Sequence, residues 1–228
     1  MIMSDNLVEY KQIKIDKKEI EHLKSADNKM KMLIDLVGNI DRDYIPNPFI
    51  ALINSIIFQQ IAYKSAITIW NRFKDAVKEI TPENILSINH DSLKKCGLSR
   101  TKINYIQNIS QAVINRDIAL ENINKMSNEE IIKSLIKIKG IGEWTAEMFL
   151  IFSLNRKDIL SYKDLGVRKG IQWLYNMNNE PTKDEFARLK EKYSPFNSVA
   201  AFYLWEITIR NYFKYEHIDE IASKAAKD

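Results

Sequence analysis

Cysteine is almost missing from this chain, with one residue, Cys96, in 228. A single thiol forms no internal disulfide and cannot furnish a multi-cysteine zinc or iron–sulfur site. The three histidines, His22, His90 and His217, are too scattered in sequence to read as a metal motif, so metal redox chemistry is not expected. Six glycines and five prolines punctuate the chain, and there is no Gly/Ser linker, low-complexity block or fixed-period repeat. No uncharged apolar run approaches the roughly 18 residues of a membrane span. The opening MIMSDNLVEYK lacks the basic and apolar run of a signal peptide. A soluble cytoplasmic protein without a membrane partner is therefore expected, nucleoid-associated if the source is prokaryotic. Acidic residues number 30 against 34 basic ones, a net charge of +4 that permits a polyanionic partner without demanding one.

What is present is apolar residue in helical rhythm, 45% of the chain by composition. After the Pro46-Asn47-Pro48 breaker, Phe49, Ile53, Ile56, Ile57, Ile67, Trp70 and Phe73 recur at three- and four-residue steps, predicting one long helix or two stacked ones. Thr81-Pro82 reads as an N-cap followed by proline at the first helical position, and Ile103, Ile106, Ile109 and Val113 form a further stripe. Ser127 with Glu130, and Thr182 with Glu185, have capping-box spacing. Ser194-Pro195 opens a last apolar segment through Val199, Tyr203, Leu204 and Ile207, and only EYKQIKID, residues 9–16, hints at an extended piece. An all-α fold follows.

Two glycines stand out. In IKGIGEWTAEMFL, residues 138–150, Gly140 and Gly142 sit between a helix expected over Asn128–Ile138 and another over Glu143–Ser153. This is a helix–hairpin–helix. Missing side chains would let backbone N–H groups at the second helix's positive end approach an anion such as phosphate, with Lys133, Lys137 and Lys139 adding charge. Spacing alone equally allows an αα-corner that uses glycine only to turn.

Four ordered stretches bear on that choice. LIKIKGIGEWTAEMFLIFSLNRKDILSYKDLGVRKGI, LINSIIFQQIAYKSA, CGLSRTKINYI and YSPFNSVAAFYLWE together resemble the helix–hairpin–helix, Gly/Pro-rich loop, aspartate superfamily of DNA glycosylases (HhH-GPD), and within it the 3-methyladenine DNA glycosylase II branch. The resemblance covers roughly residues 20–215. It implies two helical subdomains with the active-site cleft between them: 1–20 an unassigned N-terminal extension, and 21–228 the glycosylase domain. Within that domain, 50–158 forms the central subdomain, which includes the 128–153 helix–hairpin–helix, and 21–49 with 159–228 forms the second. The implied activity is hydrolysis of the N-glycosidic bond of alkylated purines, 3-methyladenine and 7-methylguanine, in duplex DNA, initiating base excision repair. The alternatives are excision of oxidised or deaminated bases, or a non-catalytic DNA-binding module.

The resemblance also assigns residues. Of two competing aspartates, Asp158 and Asp164, it makes Asp164 the catalytic carboxylate; by its own position ahead of Leu165-Gly166-Val167-Arg168, Asp164 reads as a helix N-cap, and the two roles are compatible. Related enzymes that also cut the strand carry a nucleophilic lysine where this chain has Trp144, so a monofunctional enzyme without lyase activity is implied. Trp144 and Trp205 match aromatic base-pocket positions, each of which also suits a core tryptophan, and Met148 replaces the family's further pocket tyrosine. DNA contacts are implied for Lys139, Gly140, Ile141, Gly142 and Thr145 in the hairpin and for Gln59, Gln60 and Ile61, with Gln60 and then Ile61 as candidate DNA wedge; buried polar satisfaction is the other reading of the glutamines. No cofactor is required. The carbonyls of Ile136, Ile138 and Ile141 are candidate ligands of a structural monovalent cation, Na or K. The implied partner is damaged double-stranded DNA, bound by a monomer.

Overall fold

The computed structural model describes residues 8–225; expectations touching residues 1–7, in the N-terminal extension, and 226–228 lie outside the described residues. Along the chain the helices are α1 (Lys17–Ala26), α2 (Asn28–Val37), α3 (Pro48–Phe58), α4 (Tyr63–Val77), α5 (Pro82–Ser87), α6 (His90–Lys95), α7 (Arg100–Ile114), α8 (Asn128–Leu135), α9 (Glu143–Phe152), α10 (Leu165–Leu174), α11 (Lys183–Tyr193), α12 (Asn197–Ile209) and α13 (Ile218–Ala225). The extended piece expected over EYKQIKID, residues 9–16, reduces to a two-residue strand, Lys11–Gln12, paired with Asp43–Tyr44. Among the described residues no helix is long and apolar enough to cross a membrane.

The chain divides into two units. Unit 1 holds the described residues through Lys11 together with Asp43–Asn155, and unit 2 holds Gln12–Arg42 and the chain from Arg156 onward. Residues 43–49, grouped by sequence with the second subdomain, lie in unit 1, because Ile45 is buried there and its N–H donates to Phe152 O at 2.8 Å. Residues 156–158 instead lie in unit 2, where the Ser198 hydroxyl donates to Arg156 O at 2.7 Å and the Ser198 N–H to Lys157 O at 2.9 Å. Residues 12–20 are drawn into the same unit by Lys157, whose ammonium reaches Lys14 O at 2.6 Å and Glu19 at 3.2 Å.

Each unit is organised on one nearly uncharged helix, as expected of a segment that is apolar all round. In unit 1 this is α3, PFIALINSIIF, which buries Phe49, Leu52, Ile53, Ile56 and Ile57 and packs against α4, α7 and α9. Asn47 starts it, accepting the Ile50 N–H at 3.1 Å, with Pro48 at the first position. The apolar rhythm from Phe49 thus divides into two helices, α3 and α4, separated by Gln59–Ala62; Gln59 leaves helical backbone at ψ 132°, and Gln60 after it takes a left-handed φ of +52°. In unit 2 the central helix is α12, whose Val199, Ala200, Phe202, Tyr203, Leu204 and Ile207 are buried and which packs against α2, α10 and α11. It begins at Asn197, two positions beyond the proline expected to open it.

Candidate active site

In unit 1 the hairpin is tighter than its sequence suggests. α8 opens with the Ser127–Glu130 capping box but ends at Leu135, short of the expected Ile138. Two successive turns follow, with Ile138 N–H donating to Leu135 O and Ile141 N–H to Ile138 O, both at 3.0 Å, and both isoleucines are buried.

The two glycines serve different ends. Gly140 has φ +113°, and a Cβ there would stand 2.4 Å from Cγ of Tyr105 on α7, so this glycine is required by the chain's own packing. Gly142 has ordinary extended backbone at φ −93°, and a Cβ there would meet nothing within 4 Å. It is exposed and serves as the N-cap of α9 without offering a capping side chain. The start of α9 is therefore a helix end with an open approach, flanked by exposed Lys137 and Lys139.

The hairpin is braced from behind. The Gln59 amide donates to Thr145 Oγ at 2.9 Å and to Gly140 O at 3.3 Å, while Asn108 on α7 donates to Lys139 O at 3.3 Å. Lys102, also on α7, donates to Ile57 O at 2.7 Å and Gln59 O at 2.8 Å. Burial pushes the Lys102 ammonium below its ordinary pKa. Gln59 is thus turned into the hairpin, and Thr145 is buried, whereas Gln60 is exposed and Ile61 is 36% exposed. Trp144 is half-buried on α9, and Met148, one turn further, is buried. Ile136 lies exposed at the end of α8. Of the three carbonyls considered for a monovalent cation, that of Ile138 accepts the Ile141 N–H; among the described residues no group of three His, Cys, Asp or Glu side chains suits a metal.

Unit 2 carries the carboxylate. Asp164 is the N-cap of α10 and is 7% exposed; its Oδ1 accepts the Val167 N–H at 2.8 Å and the indole N–H of Trp205 at 3.0 Å. Trp205 is half-buried on α12, its ring 5.8 Å from that of Phe202. Small residues on α10 allow this pairing. A Cβ on Gly166 would lie 3.1 Å from Asp164 Oδ1 and 3.2 Å from Trp205 Cδ1, and one on Gly170 would lie 2.8 Å from Leu204 O. Asp158, the other aspartate weighed for catalysis, has Oδ2 accepting from Ser194 Oγ at 2.8 Å and Oδ1 from Asn197 Nδ2 at 2.5 Å. It fastens the chain ahead of α12. Phe202 and Tyr203 are core residues, with the Tyr203 hydroxyl donating to Gly38 O at 3.1 Å.

The motif CGLSRTKINYI holds Lys102 and Tyr105, whose part only the fold reveals, and with Asn108, which lies beyond the motif, they stand at three-residue steps beside the buried stripe of Ile103, Ile106 and Ile109. Their spacing was visible, but their partners lie tens of residues away.

Comparison with known proteins agrees with this arrangement. Residues 53–195 match the family described as HhH-GPD superfamily base excision DNA repair protein. DNA-3-methyladenine glycosylase 1 of Schizosaccharomyces pombe is 39% identical over 196 residues, covering 81% of this chain and 84% of that protein. The solved structure of the 3-methyladenine DNA glycosylase of the same yeast in complex with abasic DNA superposes with a TM-score of 0.78 at 38% identity, over 84% of this chain and 97% of the other. DNA-3-methyladenine glycosidase from Bacillus halodurans gives 0.79 at 30% identity, over 94% and 99%. The chain therefore belongs to the HhH-GPD superfamily of base excision DNA repair proteins.

Proposed function

We propose that this protein is a monofunctional DNA glycosylase that hydrolyses the N-glycosidic bond of alkylated purines, 3-methyladenine and 7-methylguanine, in duplex DNA and so begins base excision repair. The observation that carries this reading is Asp164, a buried helix N-cap carboxylate oriented by both a backbone amide and an indole N–H. As the base departs, positive charge grows on the deoxyribose. A carboxylate fixed in advance stabilises that oxocarbenium-like state more than the neutral sugar. A unit-charge pair at about 4 Å is worth about 4 kcal/mol at an effective dielectric of 20, or about three decades in rate. An N-alkylated purine already carries positive charge, so it leaves without a general acid, and one aspartate suffices.

In this proposal the exposed N-terminus of α9 at Gly142, with Lys139 nearby, takes a DNA phosphate. Trp205, beside Asp164 in unit 2, offers an aromatic face to an electron-poor, cationic base; within unit 1, Trp144 is the other aromatic base-pocket candidate, and Met148 stands in the place of a pocket tyrosine. Gln60 and Ile61 form the wedge that replaces the extruded nucleotide, while Gln59, Thr145 and Gly140 hold the hairpin in shape. The carbonyls of Ile136, Ile138 and Ile141 are hard oxygen donors, chemically suited to Na or K, and no step of the reaction depends on them. Trp144 supplies no amine, so no Schiff base forms there. The protein acts as a cytoplasmic monomer.

Release of free base from duplexes containing 7-methylguanine, 8-oxoguanine or hypoxanthine tests the reading. Release from the methylated duplex, with strands breaking only after alkali, is expected. Preference for either other base would move the specificity to oxidised or deaminated bases, and no release from any would leave a DNA-binding module.

A further inference from the structure

The segment between α3 and α4 has three features that the chemistry above does not use. First, α3 ends without a basic residue in its last turn to serve its final carbonyls. Lys102 crosses from α7 to serve those of Ile57 and Gln59. Second, the Lys102 ammonium is half-buried, and among the described residues no carboxylate pairs with it. A cation taken partly out of water has been committed to two carbonyls. Third, the residue immediately after them, Gln60, holds φ +52°, and Ile61 beyond it keeps a large apolar side chain in solvent. A left-handed conformation in a residue with a Cβ persists only where its surroundings over-determine it.

These features have one explanation. Resting on the glycosylase reading, we infer that Lys102 is a positioning residue for base extrusion, which acts by bridging Ile57 O and Gln59 O and so holding Gln60 and Ile61 in the exposed turn that enters the DNA stack. Gln59 extends the brace. Its carbonyl is held by Lys102 and its amide by Thr145 and Gly140, so the wedge turn and the hairpin are built as one piece within unit 1. Lys102 touches neither the sugar nor the base in this scheme. Its effect falls on the opening of the duplex and not on bond cleavage.

That division makes the inference testable, because a base that is already unpaired needs little wedging. Single-turnover release of 7-methylguanine would be measured from a duplex with cytosine opposite the lesion and from one with an abasic-site analogue opposite. Lys102→Met should slow release from the paired duplex by about tenfold or more, as loss of a charge-assisted bridge implies, and change the unpaired substrate by no more than about twofold. Should Lys102→Met fold poorly by circular dichroism, Lys102→Gln, which keeps donors but no charge, should show the same selectivity in weaker form. Joint replacement Gln60→Ala and Ile61→Ala should reproduce it, and adding Lys102→Met to that pair should not widen the paired-to-unpaired ratio. Equal losses on both substrates, or undiminished release from the paired one, would overturn the inference and leave Lys102 as an ordinary helix cap. If the wild type released no base from either duplex, the glycosylase reading would fail separately. Fluorescence of 2-aminopurine at the target position would then report extrusion alone, which Lys102→Met should reduce; an unchanged signal would refute the wedge role.

Discussion

Asp164 and Asp158 share a functional group and differ in what surrounds it. Asp158 accepts from Ser194 and Asn197, groups that fasten the chain ahead of α12, whereas Asp164 caps α10 and accepts the Val167 N–H and the Trp205 indole N–H at Oδ1. Asp164→Asn should therefore cut single-turnover base release by about three decades while binding to abasic-site DNA stays near wild type in a gel-shift titration. Asp158→Asn should keep release from alkylated duplex and lower stability by about 1–2 kcal/mol in urea unfolding, since a half-buried acceptor is lost. Turnover by Asp164→Asn at the wild-type rate would remove it from the chemistry. Local pattern alone did not separate the two residues, and only the resemblance chose between them, because their donors are remote: the indole partner of Asp164 lies 41 residues on. Only the cap, which closes on an amide three residues ahead, was legible locally.

At the scale of elements, local signals were read well and remote ones were not. The boxes at Ser127–Glu130 and Thr182–Glu185 are both formed, since each closes within one helical turn. The end of α8 was misread because Leu135, Ile138 and Ile141 continue a three-residue apolar rhythm through what are separate tight turns. The box of Asp16 with Glu19, which opens α1, escaped because Glu19 is buried, against the habit of its residue type. The hairpin glycines gave no sign in sequence that only Gly140 is sterically forced. Gly140→Ala should lower stability by at least the roughly 1–3 kcal/mol of a left-handed residue with a Cβ, with the Tyr105 clash added. Gly142→Val should cost only about 1 kcal/mol of stability, as an N-cap glycine gives way to a β-branched residue, yet weaken binding to any DNA sequence alike, because phosphate contacts carry no sequence information. Thermal unfolding and fluorescence anisotropy on two unrelated duplexes would separate the pair; unchanged affinity in Gly142→Val would make the hairpin a corner only.

For the molecule as a whole, acid should act on unit 2 through its buried carboxylates. Burial tends to raise Asp27, but Lys192, the Met30 N–H and Tyr175 outweigh it and hold the carboxyl below its ordinary 3.8. Burial likewise opposes Glu206, where Arg42 and Arg210 prevail and hold it below 4.5. Carboxyls lowered on folding add stability that is complete above the unfolded pKa and lost as pH falls through the folded one. The Tm should thus decline below about pH 4.5, and the gap between wild type and Glu206→Gln should shrink as the pH drops; a gap independent of pH would refute the assignment. Cys96, by contrast, should make the protein indifferent to redox conditions: it is buried, and burial raises its thiol above the ordinary value, so a thiol reagent should titrate it only after unfolding. The division of the chain has a bearing on synthesis as well. Unit 2 is assembled from residues on both sides of unit 1 in sequence, so on the ribosome α1 and α2 emerge first with Leu23, Met30 and Leu33, which end fully buried, and no partner to cover them. The chain from Arg156 follows only after all of unit 1, a delay on the order of ten seconds at typical elongation rates. Unit 1, contiguous from Asp43 to Asn155 apart from its N-terminal strand, can close during that interval. A nascent chain stalled past Asn155 should accordingly resist protease across α3–α9 while α1 and α2 remain open to cleavage.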